Sequence, residues 1–473
     1  MLAFALPVFT ILGPDLQRFY ASFLSGKAVS RALPPDTPVV KNGLGLNGPG
    51  KGPHFLRILL HGINYSPELT GIGKYSGEMA EWLAARGHGV RVVTAPPYYP
   101  AWRVRTDYRA WSYKTEPGTG PDPVRVYRCP IYVPRHPSGH TRLLHLGSFM
   151  LSSLPIMLSQ AQWRPDVVLT IEPSLMSAVA GLVTARIADA VAWLHIQDFE
   201  VDAAFGLGLL QSEGRAHKLG EALERQAMHG FDHISTVSEK MMQRLPEKGV
   251  PIEKTVMFPN WVDTDAIAPL QGPSRLRHQL GLGPDRVVLM YAGNMGMKQG
   301  LELLPLLAQE FAPDPRIHFV FCGDGAYHAQ LASMVRSAAN VTMLPLQPFD
   351  RLNDLLNAAD IHLLPQRPDA ADLVMPSKLT GMLASGRPVI ATAASGTQVA
   401  IALGSCGVAV PPLDNTALFT AVHTLADRPE MRHALGVAAR AHAVEHLGRE
   451  RVLERFEGEL LKAVGKRHSS DSL

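Results

Sequence analysis

Short apolar runs alternate with segments of helical apolar period, and this alternation passes through the chain twice. Few folds accept such a pattern: strands joined by helices assemble into parallel sheets whose faces the helices cover. In the first half, strand-like runs fall at 57–61, 90–94, 124–127, 167–171, 191–196 and 233–237, with helical spacing over 74–86 and 219–228. In the second half, strands are expected at 287–292, 318–322, 341–344, 361–364 and 389–392, with helices at 301–310, 327–338, 351–358 and 377–384. Between the halves, Phe258-Pro259-Asn260-Trp261-Val262-Asp263 gathers turn residues without a period. The expected fold is α/β, with two Rossmann-like doubly wound domains facing a central cleft. Residues 55–262 and 263–440 form the two domains, 1–54 a flexible N-terminal extension, and 441–473 a C-terminal helix and tail.

Composition narrows the classes further. With 46% hydrophobic and 18% charged residues, the chain as a whole is neither disordered nor a multi-span membrane protein. Lys and Arg number 45 against 42 Asp and Glu, and a net charge of +3 is too small to imply nucleic-acid binding. Cys129, Cys322 and Cys406 are far apart and form no CxxC pair, which points away from disulfides and structural zinc and toward a cytoplasmic setting. The apolar run from Leu2 to Leu12 has no basic segment before it and no small-residue cleavage site, so no signal peptide is expected. Residues 143–163 contain no Asp, Glu, Lys or Arg, although Pro155 interrupts them. His145, Ser148 and Ser152 share one helical face, Leu143, Leu146, Met150 and Leu154 another, and Arg135, Arg142 and Arg164 flank the stretch. This pattern fits a helix lying in a membrane interface as well as a buried one.

In open parallel sheets, ligands bind beyond the carboxyl ends of the strands, so the loops there are the informative segments. After the first strand, Glu68-Leu69-Thr70-Gly71-Ile72-Gly73-Lys74 opens into a helix. Its glycines allow close backbone approach and the helix start offers N–H groups to an anion or a hydroxyl; a tight turn without a ligand explains the same residues. The spacing is not GxGxxG and no acidic residue closes the second strand, which argues against a nicotinamide site. In the second half the corresponding loop is Gly293-Asn294-Met295-Gly296-Met297-Lys298-Gln299-Gly300. Close backbone donors and one lysine suit a diphosphate, whereas the order of a triphosphate-binding P-loop is missing. Gly323-Asp324-Gly325 reads equally as a plain turn or as an approach to a nucleotide. The segment from Asp372 to Ile390 carries the strongest local signals: Pro376 at a helix start, Ser377 and Lys378 adding donors to its positive end, and Gly386 stopping it. His195 and Asp198 follow a strand, where such a pair orients a substrate hydroxyl or works as acid and base; a structural histidine is the alternative. His229 and His233 fit no metal-ligand pattern, and no metal is assigned.

Taken together, INYSPELTGIGKYSGEMAEWLAARGHGVRVVTAPPYYP, HIQDFEVDAA, FPNWVD, GNMGMKQGLE, CGDG and LVMPSKLTGMLASGRPVI resemble the family 4 glycosyltransferases of GT-B fold, over residues 55–461. The resemblance is nearest to the branch that builds colanic-acid-type bacterial exopolysaccharides. It implies transfer of a sugar from a nucleotide donor to a lipid-linked or saccharide acceptor, with retained configuration. It implies no metal and no cofactor besides the nucleotide-sugar substrate, and a cytoplasmic enzyme in peripheral contact with the inner-membrane surface. GDP-fucose is the donor that the nearest branch suggests, with UDP-sugars open. By position, Gly71, Ile72, Gly73 and Lys74 would border the acceptor and the donor phosphates, and His195 and Asp198 the transferred sugar. Gly293, Asn294, Gly296 and Lys298 would hold the diphosphate together with the backbone N–H groups of Ser377, Lys378 and Leu379, and Gly323 and Asp324 would line the donor. Two acidic residues common in the family are replaced by Leu373 and Gly381, which leaves Asp372 as the candidate substitute. The architecture is shared by sugar-nucleotide epimerases, and a noncatalytic nucleotide-sugar-binding protein is the other alternative.

Overall fold

The computed structural model describes residues 55–68, 71–117, 123–135, 138–172, 175–199, 222, 224–296, 299–367 and 376–470. In chain order the first part contains β1 (Arg57–Gly62), α1 (Gly71–Ala85), β2 (Gly89–Thr94), β3 (Lys114–Glu116), β4 (Arg125–Arg128), α2 (Gly139–Gln160), β5 (Val167–Glu172), α3 (Leu175–Ala188), β6 (Val191–Ile196), β7 (His233–Thr236), α4 (Glu239–Glu247) and β8 (Thr255–Met257). Their sheet has the order β3-β4-β2-β1-β5-β6-β7-β8, with β3 antiparallel at one edge. The second part contains α5 (Arg275–Gln279), β9 (Val287–Ala292), α6 (Leu303–Glu310), β10 (Ile317–Cys322), α7 (His328–Met334), β11 (Val341–Leu344), α8 (Leu352–Ala358), β12 (Ile361–Leu364), α9 (Lys378–Ala384), β13 (Val389–Thr392), α10 (Gln398–Leu403), β14 (Gly407–Val410), α11 (Asn415–Asp427), α12 (Pro429–His442) and α13 (Arg449–Ser470). Its sheet, β11-β10-β9-β12-β13-β14, is parallel throughout.

Strand burial explains why the apolar runs were readable. Every residue of β5, β6, β9, β10, β12 and β13 is buried, as expected for parallel strands covered on both faces, whereas the edge strand β11 is only half-buried. The second sheet has the doubly wound order 3-2-1-4-5-6, and its winding reverses between β9 and β12.

The helix expected from Lys74 begins three residues earlier, so Gly71–Lys74 form the first turn of α1 rather than a loop. Sterics supply the reason. A Cβ on Gly73 would lie 2.6 Å from Glu68 Cβ, and one on Gly77 would lie 2.7 Å from Ser66 Cβ. Two glycines one helical turn apart therefore let α1 press onto the loop that precedes it.

The first sheet ends at Met257 and the second begins at Val287, so the boundary expected at residue 262 falls between the sheets. Packing divides the chain elsewhere, into one unit of the described residues up to Thr170 with Met176–Ala192, and another of Ile171–Leu175 with Trp193 onward. Inside that second unit, α13 joins β6–β8 to the C-terminal part. The Phe456 ring stacks on Phe258 at 3.7 Å and meets Trp193 edge-on at 5.3 Å. Backbone bonds from Val262 N to Leu447 O and from Arg449 N to Val262 O, with an Arg449–Asp263 ion pair at 2.8 Å, fasten the start of the helix. Phe456→Ala is expected to cost about 3–5 kcal/mol in urea denaturation, as for other buried aromatics cut to alanine. Combined with Phe258→Ala, the loss should be less than the sum of the two, because the rings share one stack.

Candidate active site

In the second sheet, β9 and β10 end in loops that cross with almost no space between them. A Cβ on Gly323 would lie 1.9 Å from Gly293 O, and one on Gly325 2.6 Å from Met295 O; both glycines, like Gly293, have strongly positive φ. Backbone bonds lock the crossing: Gly293 N donates to Cys322 O, Met295 N to Asp324 O, and Tyr327 N to Met295 O. Met295 is fully buried beneath it. Gly323 is thus required by its position against the other loop, and the Asp324 carboxylate accepts from Gly325 N.

Above this crossing lies Lys378, at the start of α9. Its Cδ would be 3.4 Å from a Cβ on Gly293, and its Nζ donates to Tyr291 OH at 3.0 Å and to Gln299 Oε1 at 2.8 Å. The ammonium also sits 4.3 Å from the centre of the Tyr291 ring. Tyr291 OH in turn donates to Asn294 O, so the lysine is tied to both ends of the β9 loop. Its partners are neutral, and burial alone pulls its pKa from 10.5 down to about 7. A cation held by a phenol, an amide and an aromatic face is stabilised far less than one beside a carboxylate, so an incoming anion supplies what the surroundings lack. At the exit of β12, Thr392 Oγ1 accepts from Gln366 N and donates to Gln366 O, fixing that exit beside β13.

Ser377 is exposed and Leu379 fully buried. The Leu379 N–H closes a turn onto Pro376 O at 3.0 Å, which leaves Ser377 and Lys378 as the backbone donors of that segment to set against an anion. Lys298 and Asp372 lie outside the described residues, while Asn294 and Gly296 border the Lys378 environment through Tyr291 and Gln299. Tyr291 and Gln299 were not singled out from the sequence. The available signal was a phenol ending the otherwise aliphatic run Val287-Val288-Leu289-Met290-Tyr291-Ala292.

His195 is placed differently from its expected acid–base role. Its ring is buried within β6, and Gln197 Nε2 lies 2.9 Å from Nε2 and Ser235 Oγ 2.9 Å from Nδ1. With the Gln197 amide as donor, the network assigns the proton to Nδ1, donating to a Ser235 hydroxyl that also accepts from Trp193 Nε1. Burial pushes the imidazole pKa down to about 3, so it stays neutral near pH 7 with both nitrogens engaged. In this arrangement the ring holds the end of β6. Asp198 is half-buried just beyond it. In the other unit, Gly71 faces Tyr99, and Lys74 pairs with Glu78 at 3.1 Å. Glu68 is buried and accepts from Asn64 Nδ2, Tyr98 N and Tyr99 N, which pins the loop after β2 beneath the start of α1. Among the described residues, no three His, Cys, Asp or Glu side chains cluster to hold a metal ion.

Residues 70–261 match a family model described as glycosyl transferase 4-like domain, and residues 286–428 match glycosyl transferases group 1. The chain is 42% identical over 410 residues, 85% of its length and 98% of the relative's, to the putative colanic acid biosynthesis glycosyl transferase WcaI of Escherichia coli (strain K12). The chain belongs to the family 4 glycosyltransferases. Its GT-B fold is shared with sucrose-phosphate synthase from Thermosynechococcus elongatus, with a TM-score of 0.67 at 18% identity covering 87% of this chain and 99% of that one. It is shared also with Anabaena Alr3699/HepE, solved with UDP and glucose, with a TM-score of 0.59 at 15% identity covering 86% and 100%. Membership decides for the transferase against the epimerase and noncatalytic alternatives. Within this glycosyltransferase, position 381 has room for a side chain: a Cβ there would make only a 3.4 Å contact with Leu356 Cδ1, so packing does not impose the glycine.

The environment of Lys378 is directly measurable. In NMR of lysine side chains, the Lys378 ε-carbon is expected to titrate near pH 7, and Lys378→Met should remove that titrating resonance.

Proposed function

We propose that this glycosyltransferase moves a sugar from a nucleoside-diphosphate donor to a saccharide carried on a lipid, in the assembly of a bacterial exopolysaccharide at the cytoplasmic face of the inner membrane. The observation that carries the donor half of this reading is Lys378, a desolvated ammonium whose partners among the described residues are Tyr291 and Gln299, at the carboxyl end of β9 where the winding reverses. The saccharide half is supported by the extent of the similarity to WcaI, whose name assigns it to colanic acid biosynthesis. GDP- and UDP-sugars both suit a diphosphate site, with GDP-fucose the first to try.

Transfer breaks the bond between the anomeric carbon and the diphosphate oxygen, leaving negative charge on the phosphate and positive charge on the ring. Lys378, with Lys298 and the Ser377–Lys378 backbone, stabilises the leaving group electrostatically, and that is the task a metal ion performs in other transferases. Retention follows when the acceptor oxygen attacks from the face the diphosphate leaves and its proton passes to the departing phosphate oxygen. His195 then acts as a positioning residue for the strand end that carries Asp198. The first turn of α1, with Gly71 against Tyr99, is assigned to the acceptor.

Calorimetric titration with UDP, GDP and NAD in EDTA tests the reading: one nucleoside diphosphate is expected to bind and NAD is not. Lys378→Gln and Lys298→Ala should each weaken that binding by about 1.5–3 kcal/mol, as for a lost charge-assisted hydrogen bond. At pH 8 the neutral Lys378 must take up a proton when the anion binds, so wild-type affinity falls as pH rises above 7 and the fall is absent in Lys378→Gln. Tight binding in EDTA that neither substitution changes would refute the assignment.

A further inference from the structure

Helix α2 buries a mixed face. Phe149, Ile156 and Met157 are buried together with a polar set: His145 Nδ1 bonds Tyr132 O, Ser148 Oγ accepts from Tyr132 N, Ser152 Oγ donates to Pro130 O, Ser153 Oγ pairs with His61 Nε2, and Gln160 Oε1 accepts from Arg91. The leucine face points outward. Leu143 and Leu158 are exposed, and Leu146, Met150 and Leu154 between them are half-exposed, a stripe about 22 Å long at 1.5 Å per residue. Helix α3 continues it. Met176, Val179 and Ile187 are exposed, by 63% at Ile187, and Met176 Sδ lies 3.9 Å from the site of a Cβ on Gly147 of α2. The two helices thus expose apolar side chains on either side of the point where Met176 meets Gly147.

We propose that the outward face of α2 and α3 docks on an anionic lipid bilayer, with both helices lying in the plane of the interface. This deepens the membrane part of the reading above and stands on geometry that the donor site does not share. Charge selects the partner: residues 135–165 carry Arg135, Arg142 and Arg164 and no Asp, Glu or Lys, and α3 carries Arg186 and no acidic residue, with Asp166 and Asp189 just beyond the helix ends. Arg135, Arg164 and Arg186 are exposed and Arg142 half-exposed, so phosphate headgroups meet cations around an apolar centre. A second copy of the chain docked through the same face would set these arginines against each other, with no carboxylate on either helix to offset them. Helix α2 with its extension, Gly139–Trp163, is long and apolar enough to cross a membrane. Spanning would break every bond of its buried face, including those to the backbone of Pro130 and Tyr132, so it lies on the bilayer instead.

Flotation of the full chain with phosphatidylcholine vesicles, with and without phosphatidylglycerol, tests this. Wild type is expected to float with the anionic vesicles and to be released by high salt. The triple variant Leu143→Glu/Val179→Glu/Ile187→Glu should bind them at least about tenfold more weakly. Leu413→Glu/Val437→Glu, at exposed apolar sites in the other unit, should float like wild type. Because Cys129, Cys322 and Cys406 are buried, an environment-sensitive dye on Ile187→Cys reports the contact without disturbing the fold. Its emission should shift blue on anionic vesicles, and that of Leu413→Cys should not. The proposal is overturned if wild type fails to float, if the triple variant floats equally, if the dye at 187 does not shift, or if the face instead forms a dimer that the triple variant dissolves. Nucleoside-diphosphate binding, measured on the same samples without vesicles, separates the two readings: its loss in wild type counts against the donor site alone.

Discussion

The crossing of Gly323 over the carbonyl of Gly293 is the constraint on which the donor side rests. Parallel strands β9 and β10 deliver their loops to the same end of the sheet, and the loops share that space only because Gly323 carries no side chain. Once crossed, they are held by three backbone hydrogen bonds, and the resulting floor brings Tyr291 and Gln299 under one ammonium group. A methyl group at 323 would lift the β10 loop off Gly293 and displace the surface on which Lys378 lies. The glycines therefore act through the shape they impose on the lysine's surroundings.

Much of this architecture was legible because the strands are buried on both faces and read as continuous apolar runs. β9, β12 and β13 fall where their sequences place them. β3, with the sequence Lys-Thr-Glu, has no apolar run to reveal it and forms by pairing with β4. Helix α1 starts at Gly71, in the segment read as a glycine loop, although Gly71 and Gly73 are poor helix formers, and Gly73 packs tightly on Glu68. The candidate site was legible in its segments and less so in its roles. Position in sequence put His195 at a strand end, where a reactive histidine is commonly found, but the partners that occupy its ring nitrogens, Ser235 and Gln197, come from folding, one of them 40 residues away.

Helix α2 shows a more general limit of periodicity. A moment in the sequence identifies two faces without saying which one turns inward, and the usual assumption sends the leucines to the core. Here the neighbouring strand ends present unpaired backbone groups at Pro130 and Tyr132 and the buried imidazole of His61, and only the serine and histidine face answers them. Each buried polar group left unsatisfied would carry a penalty of about 1–3 kcal/mol, comparable to the gain from burying one leucine, and Phe149, Ile156 and Met157 already fill the apolar part of the inner face. The remaining leucines turn outward.

A balance of burial and pairing also governs Lys378. An ammonium already paired with a carboxylate would be cheap to keep charged and would have little further to gain from a diphosphate. Desolvated against Tyr291 and Gln299, it is about half protonated near pH 7 and gains most when the facing group is most negative. In sugar transfer that moment comes as the glycosyl–oxygen bond breaks and charge collects on the leaving phosphate. Stabilisation that grows along the reaction lowers the barrier, whereas equal attraction throughout would only tighten binding. The neutral surroundings of the lysine are in this sense the feature that suits it to a leaving group rather than to a resident anion.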